Sequence, residues 1–132
     1  MAAITTSGGG RSWQRIVDPG TGYTSKTSGW TADSFSGGFE IDFTNYVPNG
    51  TVEAWITILQ GGTQSKVYVR ASGDTNISNT PDASTEISAR IMQDDDQIYH
   101  GPVQLSSDYK IQIAVTNTGT DIYVSYPARV KL

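Results

Sequence analysis

The strongest constraint on this chain is a two-residue alternation of apolar and polar side chains, repeated in short runs that end in Gly, Asn, Asp or Pro. FEIDF (39–43), VEAWITIL (52–59), KVYVRA (66–71), EISARIM (86–92), QIYHGPVQL (97–105), YKIQIAVT (109–116) and DIYVSYPARVKL (121–132) all read this way, as does SWQRIV (12–17) before them. Successive side chains of an extended backbone point to opposite faces, so period two makes a strand with one buried and one wetted face. No segment of useful length carries the 3.6-residue period of a helix. The pattern predicts an all-β fold: a single-domain β-sandwich, jelly-roll or Ig-like, of about seven to eight antiparallel strands.

With 132 residues the chain is long enough for one domain to bury a core without disulfides or metal. It divides into an N-terminal Gly-rich arm, residues 1–12, and a sandwich domain, residues 13–132. Gly8, Gly9 and Gly10 give the arm too much backbone freedom to order by itself, so it is expected to lie on its own domain or on a neighbour. Trp13 is placed to anchor the arm's end in the core. A long Ser/Thr/Gly-rich loop, residues 21–38, carries Tyr23, Trp30 and Phe35.

Matching apolar faces predicts two hairpins. Joining 52–59 to 66–71 sets Ile58 opposite Val67, Ile56 opposite Val69 and Ala54 opposite Ala71, a register that a one-residue slip would destroy. Joining 109–116 to 121–130 sets Val115 opposite Ile122, Ile113 opposite Val124 and Ile111 opposite Tyr126. The first register places Trp55, on the polar face of its strand, across from Arg70, and Thr57 across from Tyr68. An arginine over an exposed indole is a cation–π pair worth about 0.5–1 kcal/mol. Trp55 is then either a packing partner of Arg70, a residue covered by the 21–38 loop, or part of an exposed patch. Tyr68, Met92 and Tyr123 share its parity, and Trp55, Tyr68 and Tyr123 together would suit a partner subunit or a sugar ring.

Little in the sequence suggests catalysis. There is no cysteine, which excludes a thiol nucleophile and a disulfide framework. His100 is the lone histidine and is expected to end a strand before a Gly101-Pro102 turn. Asp94, Asp95 and Asp96 lack the spacing of a calcium loop and read as a hairpin tip pairing Ile91 with Ile98 and Arg90 with Tyr99. Glu40 and Asp42 read as a solvated strand face rather than a glycosidase pair. Asn49 and Asn76 lie in formal glycosylation sequons but read as turn residues. A net charge of −4 with scattered basic residues gives no nucleic-acid surface. No cofactor or metal is implied, no secretory signal is visible, and no apolar run is long enough to span a membrane.

The overall style of the chain, FEIDF through DIYVSYPARVKL with the Gly-rich arm ahead, resembles small phage capsid decoration (cement) proteins. These are often β-rich oligomers that bind the outer face of a capsid shell. The resemblance lies in the whole chain rather than in a motif, so no family residue is carried to a position here. It implies a non-enzymatic virion protein assembled in the host cytoplasm. Its partners would be capsid or other virion subunits, it would form a homo-oligomer, and its arm would be ordered on an adjacent subunit. Interface candidates are Trp55, Tyr68, Arg70, Tyr123, Gly8, Gly9 and Gly10. The alternative is a carbohydrate- or receptor-binding module using Tyr23, Trp30 or Trp55.

Overall fold

The computed structural model describes residues 4–5, 12–16, 22–27, 30, 34–63, 65–81, 89–91 and 98–132. Its strands are β1 (Ile4–Thr5), β2 (Gln14–Ile16), β3 (Tyr23–Lys26), β4 (Phe39–Asp42), β5 (Glu53–Gly62), β6 (Val67–Ala71), β7 (Ala89–Ile91), β8 (Ile98–Gln104), β9 (Lys110–Val115), β10 (Thr120–Ser125) and β11 (Arg129–Lys131). The described residues contain no helix. They form a β-sandwich of a seven-stranded and a four-stranded antiparallel sheet.

β5 is the axis of the larger sheet. One of its edges pairs along its length with β8, from Glu53 opposite Gln104 to Leu59 opposite Ile98. The other edge is shared by β10 and β11 in tandem, with Val124 opposite Ile58 and Arg129 opposite Trp55. Residues 125–128 therefore stand against only 56–57, a wide bulge. The ladder is patched there by the Thr57 amide donating to Ser125 Oγ (2.8 Å) and the Ala128 amide donating to the Trp55 carbonyl (3.3 Å). Pro127, which has no amide hydrogen to give a ladder, sits in this break and splits the C-terminal run into two strands. β3 flanks β10, and β2 followed by β1 flanks β11. In the smaller sheet the order is β4-β9-β6-β7.

The inner faces meet in one core. Ile16, Ile56, Ile58, Ile122, Val124 and Val130 of the larger sheet pack with Ile41, Val67, Val69, Ile111, Ile113 and Val115 of the smaller. Each side chain buried so completely contributes about 1.5–3 kcal/mol over its exposed state. Trp30, in the connection between β3 and β4, closes this core instead of facing out to a glycan; it is only 6% exposed and its indole N–H donates to the Thr120 carbonyl at 2.7 Å.

Both expected hairpins are overturned. β5 and β6 lie in different sheets, as do β9 and β10. β6 pairs instead with β9, setting Val67 opposite Val115 and Arg70 opposite Gln112. The apolar faces do match, but across the core rather than within a sheet. A chain that crosses from one layer to the other carries the same alternation as a hairpin, because both inner faces are apolar. What distinguishes them is the connection, and here the two crossings support each other. Ser65 Oγ accepts from the Thr116 and Asn117 amides (2.9 and 3.1 Å), the Thr63 amide donates to the Gly119 carbonyl, and Thr120 Oγ1 donates to the Thr63 carbonyl.

The expected tip pairing of Ile91 with Ile98 and Arg90 with Tyr99 is also replaced: Ile91 lies opposite Val67 and Arg90 opposite Tyr68, while Ile98 and Tyr99 lie opposite Leu59 and Ile58. Asp94–Asp96, Met92 and Gly8–Gly10 lie outside the described residues. Of the arm, residues 4 and 5 pair with Ile16 and Arg15 of their own domain. β8 runs straight through Gly101-Pro102 instead of turning there.

Candidate interaction face

The two outer faces of the sandwich are treated differently. On the smaller sheet, Tyr68 and Ala114 are covered by Phe35 and Ile77 from the segments 34–38 and 72–81, forming a second small core. Those segments are tied together by the Phe35 amide donating to the Asn79 carbonyl (2.8 Å) and the Ser36 amide to Asn79 Oδ1 (3.0 Å). The Arg70 guanidinium lies 4.5 Å over the Phe35 ring, only 7% exposed. It donates to Gln112 Oε1 (2.9 Å) and to the carbonyls of Ile77 (2.9 Å) and Asp74 (3.2 Å). Arg70 and Tyr68 thus hold a covering layer onto their sheet, and neither is a neighbour of Trp55.

On the larger sheet the alternation of β5 sends Ala54, Ile56, Ile58 and Gln60 inward and Glu53, Trp55, Thr57 and Leu59 outward. Trp55 is flanked by Pro102 of β8 and Arg129 of β11. The Trp13 ring meets it edge-on at 5.6 Å, and the Arg129 guanidinium lies 5.9 Å from its centroid. The cation–π partner of Trp55 is therefore Arg129, not Arg70. Arg15 stands directly opposite Arg129, and both are exposed. Among the described residues neither makes an ion pair, whereas Lys131 beside them pairs with Glu53 at 3.7 Å.

His100 completes this cluster from β8. Trp55 Nε1–H donates to His100 Nε2 at 3.0 Å, and His100 Nδ1 is 2.7 Å from Thr57 Oγ1. An indole N–H can only donate, so Nε2 carries the lone pair and Nδ1 carries the proton, which it gives to Thr57. With its one free lone pair taken by Trp55, the ring in this arrangement has no site left to accept the Thr57 proton. It orients the indole instead of activating a hydroxyl. Among the described residues no three His, Asp or Glu side chains gather as a metal site, and no helix is long and apolar enough to cross a membrane.

Further along the same face, Tyr123 lies opposite Leu59, and Leu59 opposite Ile98. With Gln60 and Gly61 these residues line a shallow depression of about 290 Å³. Ile98 is 63% exposed, and Tyr23, opposite Ser125 of β10, is 53% exposed. The edge beside it is blunted. Among the described residues β8 pairs only with β5, Pro102 removes a donor from this long strand, and Tyr99 Oη donates to the Pro102 carbonyl at 2.7 Å.

Comparison with models of protein families, with curated proteins and with solved structures found no match to this chain.

Of the residues singled out from sequence, the fold brings Trp55, Tyr123 and Tyr23 to one face. It places Tyr68 and Arg70 beneath the covering layer of the other sheet and Trp30 in the core. Glu40 and Asp42 are exposed on the smaller sheet, each engaged locally: Glu40 accepts from Ser72 Oγ (3.0 Å) and Asp42 from the Thr44 amide (2.8 Å). Sequence reasoning missed Trp13, Arg15, Arg129 and His100 as members of the face. Their signal was parity: Arg129 and Lys131 alternate with Val130, and His100 alternates with Val103 once β8 is carried through Pro102.

Proposed function

We propose that this chain is a non-enzymatic structural protein whose working surface is the outer face of the larger sheet, and that it serves as a capsid decoration protein stabilising a virion. The observation that carries this reading is the unequal treatment of the two outer faces. The chain spends its own segments covering the smaller sheet while Trp13, Trp55, Leu59, Ile98 and Tyr123 share the face of the larger. Aromatic and arginine side chains concentrated on one flat face are the composition of a protein contact.

The charge on this face suits an acidic partner. Two arginines directly opposite one another repel in the free protein, and a partner's carboxylates would relieve that repulsion. The blunted β8 edge favours approach onto the face rather than addition of a strand. Co-sedimentation of the purified chain with capsids assembled without it tests the reading; saturable binding at a fixed number of sites per particle is expected, and a chain left in the supernatant at all concentrations would contradict it.

A carbohydrate-binding reading keeps one specific support: the half-exposed Tyr23 lies on the same face as Trp55. Glycan-dependent quenching of tryptophan emission that vanishes in Trp55→Ala would favour it over the capsid reading.

A further inference from the structure

We propose that His100 and Trp55 form a protonation-sensitive clasp that fixes the indole while the imidazole is neutral and releases it when the imidazole is protonated, so that the docking face has two protonation-dependent forms. The link to docking rests on the reading above; the clasp itself rests only on the geometry. Trp55 Nε1–H reaches His100 Nε2 at 3.0 Å, and His100 Nδ1 lies 2.7 Å from Thr57 Oγ1. Both ring nitrogens are therefore engaged, and the neutral Nδ1–H form alone satisfies the whole chain of donors and acceptors.

Protonation places a hydrogen on Nε2. Two N–H donors then face each other, and the Trp55–His100 hydrogen bond breaks. The Nδ1–H bond to Thr57 survives, because that nitrogen donates in both states. Imidazole thus stays anchored on β5 while the indole loses its only described hydrogen-bond acceptor.

Positive side chains surround the clasp. From β11, Arg129 lies over Trp55 and Lys131 is paired with Glu53; from β2, Arg15 stands opposite Arg129. Glu53 is the described carboxylate on the outward side of β5, two positions from Trp55, and its charge is answered by Lys131. A third cation at His100 joins a cluster already rich in positive charge, and the indole it releases is the ring on which Arg129 and Trp13 pack. With His100 protonated, the free face therefore has a Trp55 indole N–H without its histidine acceptor and one more positive charge than with His100 neutral.

The test is a ¹⁵N NMR titration of the wild-type protein from pH 8 to pH 5, following the Trp55 indole N–H and the His100 ring nitrogens together. Trp55→Phe assigns the indole signal, and Trp30, whose N–H is held by the Thr120 carbonyl, serves as the control. The expected result has three parts. At pH 8, His100 shows the Nδ1–H tautomer. The Trp55 indole signal moves with the His100 midpoint, while the Trp30 signal stays still. In His100→Gln, whose side-chain carbonyl can still accept from the indole but does not titrate, the Trp55 signal becomes pH-independent. An Nε2–H tautomer at pH 8, or a Trp55 signal that ignores the His100 titration, would overturn the clasp. Because these readouts need no partner, they stand or fall separately from the docking reading, which the co-sedimentation decides.

Discussion

At Arg70 a charged group is buried with no ion-pair partner among the described residues, and its position is stable because every direction of its fork is answered. Burial pulls its pKa below the usual arginine value, opposed by the Asp74 carboxylate, yet a guanidinium so held remains charged. Charge-assisted bonds of this kind contribute about 1.5–3 kcal/mol each, so Arg70→Ala is expected to lower stability by about 2–3 kcal/mol in denaturant unfolding. Arg70→Lys should recover only part, since a point charge cannot serve Gln112 and two carbonyls together. Asp42 makes a different kind of residue-scale prediction. The Thr44 hydroxyl, then the Thr44 amide, hold its carboxyl below the usual carboxylate range. A lowered folded-state pKa gives stability that is present above the unfolded carboxylate range and is lost as pH falls through the folded value. Asp42→Asn should therefore unfold more easily at neutral pH but show a shallower loss of stability between pH 5 and 2, read by thermal melts across that range. Neither role could be read from sequence: Arg70 looked like an exposed strand arginine because the covering segments 34–38 and 72–81 carry no pattern that announces where they fold.

Among the strands, the apolar runs and their inward parity were legible, but pairing was not, and β1 and β3 were missed inside the expected arm and the expected 21–38 loop because IT and YTSK are too short or too polar to show an alternation. Ala54, Ile56 and Ile58 point inward as their alternation requires, and so do Val67, Val69, Ile111 and Ile113. Alternation fixes which face of a strand is wet but not which strand lies beside it. Hence two inter-sheet crossings passed for hairpins. A double-mutant cycle measures the difference. Trp55→Ala and Arg129→Ala should couple by about 0.5–1 kcal/mol, whereas Trp55→Ala and Arg70→Ala should be additive within error; the reverse result would restore the hairpin. β8 was missed as a continuous strand because Gly101-Pro102 reads as a turn. In the fold those two residues have strand work to do. A Cβ at Gly101 would come within 2.9 Å of Tyr99 Oη and 3.1 Å of its ring, so Gly101→Ala must displace the tyrosine, at a cost of about 1–3 kcal/mol in unfolding experiments. Burial holds the Tyr99 phenol pKa above its ordinary value, as expected for a ring packed over that glycine. At Gly38 the constraint is harder, since a Cβ there would collide with the Ile113 carbonyl.

For the molecule as a whole, the sandwich has one outer face covered by its own chain and one that we propose as the docking face. The sequence contained the materials of that face, Trp55 and Tyr123 on the wet parity of their strands. It did not show that Tyr68 belongs to the opposite sheet or that Trp13, Arg15, Arg129 and His100 gather around Trp55, because those four come from three separate strands or their flanks. The measurement that bears most directly on the account compares two variants in binding to capsids assembled without the chain, the partner proposed above. Trp55→Ala combined with Arg129→Glu alters the larger sheet's outer face, and Glu40→Gln combined with Ser72→Ala alters the smaller sheet's. With both variants folded by circular dichroism, the first should bind at least about tenfold more weakly, a loss of about 1.4 kcal/mol or more, and the second should bind like the wild type. Full binding by the first variant, or a loss confined to the second, would contradict the assignment of the docking face.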